Sequence, residues 1–130
     1  MSPDIIDAVE SQLSALAYQL TSLHDRECVF CYVDRMLDAF GCDNTLRWAK
    51  YWRDHRALRA TGLENRLARR GGYCDCEIFL NGWVPSSVAA VYDEETDDWR
   101  WREPRPTCDG VRRGSSQPCP LWQPLARPRY

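Results

Sequence analysis

The stretch Gly71-Gly72-Tyr73-Cys74-Asp75-Cys76-Glu77 divides the chain. On its N-terminal side apolar residues recur with the three-and-four spacing of helices, and beyond it the pattern turns extended. The paired glycines stop a helix, and the Cys-x-Cys that follows aims two thiols at a common centre from a turn into a strand over Cys76–Leu80. Upstream, Cys28-Val29-Phe30-Cys31 offers a second pair, which on a helix shares one face at i and i+3. Four sulfurs from two separate segments are the usual donor set of a structural tetrahedral zinc site. The expected ligands are therefore Cys28, Cys31, Cys74 and Cys76, holding one structural zinc ion per chain and stapling a helical half to a β half.

Cys42, directly after the second helix, is the alternative ligand. His24, Asp75 and Glu77 are weaker rivals, and buried free thiols are the competing account, since unpaired cysteine is among the most buried residue types. Cys108 and Cys119 read as a clip within the tail, a second metal pair or exposed thiols of no consequence.

Working outward, Ile5, Ala8, Val9, Leu13, Leu16, Ala17 and Leu20 mark a helix from Asp4 to about Leu23, with Pro3 acceptable at its start. A second spans Cys28 to Phe40 and is closed by Gly41. A third, Arg47–Leu58, follows Asp43 or Asn44 as N-cap and places Trp48, Tyr51, Trp52 and His55 on one packed face. A fourth, Thr61 to Arg70, opens on a Thr61/Glu64 capping box. After the Asn81-Gly82 turn signal, Val88–Tyr92 and Trp99–Arg102 flank the acidic loop Asp93–Asp98 as a hairpin. The expected fold is small α+β, with three to four helices before a short antiparallel hairpin. Residues 1–103 form one domain, and 104–130 an irregular Pro/Arg-rich tail laid over it through Trp122 and Leu125.

At 130 residues, 44% of them hydrophobic, the chain is the size of one globular domain. The mean hydropathy is −0.57, and no apolar run approaches the about 20 residues of a membrane span. The acidic start lacks the pattern of a signal peptide, so a cytoplasmic location is expected. In a reducing compartment seven cysteines point to metal or redox chemistry rather than disulfides.

Gly41-Cys42-Asp43-Asn44-Thr45-Leu46-Arg47 and the Gly-Gly-Tyr-Cys-Asp-Cys-Glu stretch resemble the two motifs of a family of small actinobacterial proteins, catalogued as domain of unknown function 2695. The resemblance covers about residues 28–81. It implies that Cys42, Cys74 and Cys76 belong together, and it names no activity. In that family's pattern a histidine often follows Gly-Cys-Asp. Here the position is Asn44, so a ligand lost there must be replaced, with Cys28 and Cys31 the natural substitutes. A single lysine, Lys50, against sixteen arginines fits the GC-rich genome of such a source.

Arg47, Lys50, Arg53 and Arg56 recur every third residue and form the expected partner-binding stripe, although such steps drift by about 60° each around a helix. A net charge of −2 argues against a dedicated nucleic-acid binder, leaving a protein partner first and RNA second. No GxSxG, HExxH or phosphate-cradling loop is present, and no small-molecule substrate is identified. The leading expectation is a non-enzymatic, zinc-stabilised binding or adaptor module working through its basic helix or tail. A thiol-based redox or metal sensor is second and a zinc hydrolase third.

Overall fold

The computed structural model describes residues 3–126. The expectations for Met1, Ser2 and the last four tail residues, Pro128 among them, lie outside the described residues. The order is α1 (Pro3–Thr21), α2 (Val29–Phe40), α3 (Arg47–Arg56), α4 (Leu63–Arg69), a single turn α5 (Asp75–Glu77) continued by a π-turn (Ile78–Gly82), then β1 (Trp83–Pro85), β2 (Ala90–Asp93), β3 (Asp98–Trp101) and β4 (Trp122–Pro124). The α+β class, helices first, is as expected.

The core is built on α2 and α3. Val29, Phe30, Tyr32, Val33 and Met36 bury one face of α2 against Trp48, Ala49 and Trp52 of α3. Trp52 is fully buried, and its indole N–H donates to the Glu27 carbonyl at 2.9 Å. Glu27 is itself buried and accepts from Arg35 at 3.1 and 2.8 Å and from the His24 amide at 3.1 Å. A buried carboxylate so paired holds the α1–α2 connection against the core. Gly41, at φ +77°, closes α2 as expected, its N–H reaching the Leu37 carbonyl.

Several local expectations give way to longer-range partners. No side chain of its own loop caps α3; Asp75 does so from 26 and 27 residues downstream, accepting from the Trp48 and Ala49 amides at 2.9 and 3.2 Å. The Thr61/Glu64 capping box is absent: α4 begins at Leu63, after Gly62, and Glu64 instead pairs with Arg53 at 2.5 Å. His55 is exposed rather than packed in the core, stacked on Tyr51 with ring centroids 4.0 Å apart. The strand expected over Cys76–Leu80 is helical. A short apolar run does not distinguish strand from buried helical turn, and here the α3 cap draws Asp75 inward, so the chain winds on from it and buries Ile78 while Leu80 is exposed.

The hairpin is present. β2 and β3 pair antiparallel from Ala90↔Trp101 to Asp93↔Asp98 around the exposed acidic turn. The segment after residue 103 is largely irregular, yet it returns into the fold. β4 pairs antiparallel with β1 in the register Trp83↔Pro124, Val84↔Gln123 and Pro85↔Trp122. Cys119, Leu121 and Trp122 join the same buried cluster as Phe30 and Trp52. Arg105 pairs with Asp34 on α2 and lies 3.8 Å over Trp101, while Arg66 of α4 holds Ser116.

α1 is different. It is helical as expected, but Ile5, Val9, Leu13, Leu16 and Leu20 are exposed, each by about half (54%, 47%, 60%, 50% and 50%). Residues 4–20 are exposed on every side of the helix, so its apolar stripe is not packed on the core. Among the described residues, no helix is long and apolar enough to cross a membrane.

Candidate metal centre

All seven cysteines gather in two clusters. In the first, Cys28, Cys31, Cys108 and Cys119 bring their sulfurs within 4.8 Å of one another. Cys28 is the N-cap of α2, where its Sγ accepts the Cys31 amide at 3.3 Å, as a serine oxygen would. Cys108 opens a knuckle in which its Sγ accepts the amides of Gly110 and Cys28, each at 3.4 Å. That knuckle is held by the Val111 amide on the Arg26 carbonyl at 2.8 Å. Cys119 lies 3.6 Å from Cys31, whose Sγ also accepts the Trp122 indole N–H at 3.2 Å.

Zn–S bonds of about 2.3 Å place tetrahedral sulfurs about 3.8 Å apart, so this spacing fits one ion. N–H groups directed at sulfur favour the thiolate, the form that binds metal. Hydrogen bonds from Cys28 and Cys31 hold the Cys119 thiol well below its ordinary range, whereas the contact with Cys119, then that with Cys28 and burial push Cys31 up. Cys28 and Cys119 are buried, Cys31 and Cys108 half-buried. The donor set is soft, closed and able to hold a thiophilic metal.

The second cluster is Cys42, Cys74 and Cys76, again within 4.8 Å. Cys42 follows Gly41, which sits at φ +77° and ψ −173°, and its Sγ accepts the Asn44 amide at 3.4 Å. Asp43 shapes that loop, accepting from the Thr45 amide at 3.0 Å. Cys74 and Cys76 stand 3.3 Å apart at the start of α5. Between them Asp75 donates its amide to the Thr45 carbonyl at 3.0 Å while its carboxylate caps α3. Both its oxygens are engaged, so Asp75 positions the cluster and is not a ligand. Burial opposes ionisation of Cys42, but hydrogen bonds from the Cys76 and Asn44 backbone and from the neighbouring thiols outweigh it and lower its pKa. Burial, followed by the thiol contacts, pushes Cys74 up to about 12.

The four thiols expected at one centre are thus divided. Cys28 and Cys31 meet Cys108 and Cys119, and Cys74 and Cys76 meet Cys42. The reason is that Cys74 and Cys76 are drawn to the α2–α3 loop by Asp75, whereas the Cys28 end of α2 faces the returning tail. The sequence carried one signal for the tail ligands: Cys108-Asp109-Gly110 is a turn able to fold an amide back onto the sulfur. His24 belongs to neither cluster; its ring lies 3.8 Å from Glu27.

Fold and site together define a small α+β protein with two thiol clusters, at least one suited to a metal. Residues 29–81 match the family described as a protein of unknown function (DUF2695), which agrees with the resemblance read from the two motifs. Uncharacterized proteins of Mycobacterium bovis and Mycobacterium tuberculosis are each 42% identical over 50 residues, or 38% of this chain and 50% of theirs. The chain thus spans about half the length of the curated relatives it matches, and these are actinobacterial proteins. No solved structure matches the chain. Cys42, Cys74 and Cys76 all fall inside the matched segment, whereas Cys28, Cys108 and Cys119 lie outside it.

Proposed function

We propose that the protein is a zinc-stabilised binding module, in which Cys28, Cys31, Cys108 and Cys119 hold one structural zinc ion. The observation that carries this reading is the convergence of four mutually close sulfurs receiving N–H groups, with no acidic or histidine ligand among them and no position left for substrate. The ion would tie the start of α2 to a tail that has little regular structure of its own. Binding free energy at such sites is folding free energy.

The binding role falls to α1 rather than to the basic helix. Arg53 is spent on Asp54 and Glu64, and Arg56 on the His24 and Glu27 carbonyls. Arg47 and Lys50 are exposed, but two cations make a thin phosphate stripe. α1 instead presents an unpartnered apolar stripe with Asp4, Asp7 and Glu10 and no basic residue. Its complement is a protein partner offering an amphipathic helix with a basic rim.

Two measurements test this. Purified protein should retain about one zinc per chain that a chelator removes slowly, and Cys119→Ser should lose it. A basic amphipathic helical peptide should bind the wild type and bind Leu13→Glu at least about 10-fold more weakly, as expected when a central anchor is removed. Absence of inert metal would overturn the zinc assignment. Binding to an RNA oligonucleotide that exceeds the peptide's and falls steeply with salt would overturn the α1 assignment.

A further inference from the structure

The cluster of Cys42, Cys74 and Cys76 is left without a role by the structural zinc. Three sulfurs cannot all pair as disulfides, and the closest pair, Cys74 and Cys76 at 3.3 Å, has a single residue between them. The loop geometry is not that of idle thiols. Gly41 turns the chain at Cys42, Asp43 and Thr45 fix the loop, and Asp75 ties it to the Cys-x-Cys through its amide on the Thr45 carbonyl while its carboxylate caps α3. The separation of the sulfurs, all within 4.8 Å, suits a shared ion.

The fourth direction is open. Asn44, at φ +68°, contributes an amide to Cys42 rather than a side-chain ligand. The Glu77 carboxylate touches Cys74 at 3.3 Å and Asn81 at 3.4 Å, but it does not come within the span that the three sulfurs share. Cys42 and Cys76 are half-buried and Tyr73 beside them is exposed, which leaves an entry path.

We propose that Cys42, Cys74 and Cys76 form a second metal site, binding one exchangeable zinc-class ion through three thiolates with its fourth position open to an external ligand. Closed four-sulfur sites are structural, whereas three protein ligands with an open position are the pattern of metal that exchanges or acts on a bound molecule. Each thiol releases its proton as the ion binds, that of Cys74 giving up its hydrogen bond to Glu77. The site is independent of the first cluster, with which it shares no residue.

The test uses the full chain loaded with zinc. Elemental analysis should give about two zinc per chain, and a chromogenic chelator should remove them in two phases, one fast and one slow. Cys42→Ser should abolish the fast phase and leave the slow one, whereas Cys108→Ser should do the reverse. In the wild type, alkylation mapped by mass spectrometry should show Cys42, Cys74 and Cys76 protected by zinc and exposed again as the fast phase is removed. That mapping needs no variant to fold. One zinc per chain that Cys42→Ser leaves in place would overturn the proposal. So would equal alkylation of the three thiols with and without metal, or their reversible oxidation to a disulfide in the zinc-loaded protein.

Discussion

At Asp75 two neighbouring cysteines and a distant helix are coordinated by one side chain. Its carboxylate accepts the first free amides of α3, and its own amide holds the loop carrying Cys42. Removing an N-cap acceptor costs about 0.5–2 kcal/mol, and displacing a group that orients ligands costs about 10–100-fold in metal affinity. Asp75→Ala is therefore expected to lower stability by about 2 kcal/mol in denaturant titration and to weaken zinc at the three-thiol site, with the slow zinc unchanged. Gly110 is the corresponding residue of the other cluster. It sits at φ +89°, and a Cβ there would lie 3.0 Å from Arg26 Cβ. Gly110→Ala should cost about 1–3 kcal/mol and speed release of the slow zinc, read by chelator competition.

Among the elements, α2 depends on a buried charge. Glu27 is 4% exposed and rests on Arg35. Stripping the partner from a buried ion costs about 3–5 kcal/mol, and because Arg35 is partly exposed Arg35→Ala should fall toward the lower end, measured by chemical unfolding. The helices were legible because their periodicity is strong and their stops are explicit: Gly41 ends α2 and the Gly71-Gly72 pair ends α4. The caps of α3 and α4 were not, because propensity rules see only adjacent residues and Asp75 acts across the fold. Ile78-Phe79-Leu80 misled for a related reason, since a three-residue apolar run carries no period.

For the whole molecule, the segment after residue 103 is held to the helices by the cluster of Cys108 and Cys119 with Cys28 and Cys31 more than by sheet. β4 contributes three residues to a two-stranded pairing, too little to hold the tail alone. Chelation at neutral pH, or acidification that returns protons to the thiolates, should therefore free the segment from about residue 104 before the helices melt. Limited proteolysis after Arg112 or Arg113 should accelerate while far-UV helical signal persists. That sulfurs would gather was readable from their spacing, and the two motifs implied that Cys42 belongs with Cys74 and Cys76, as it does; the partners of Cys28 and Cys31 were not readable. Cys28 and Cys108 are 80 residues apart in sequence, and only tertiary structure selects between Cys74 and Cys108 as the partner of the Cys28–Cys31 pair.

The most direct test of that selection is to map, residue by residue, which thiols resist alkylation in the native zinc-bound chain and which become reactive together as the slow zinc is withdrawn. The account predicts that Cys28, Cys31, Cys108 and Cys119 are released as one set. Release of Cys28 and Cys31 together with Cys74 and Cys76, while Cys108 and Cys119 react from the outset, would contradict it.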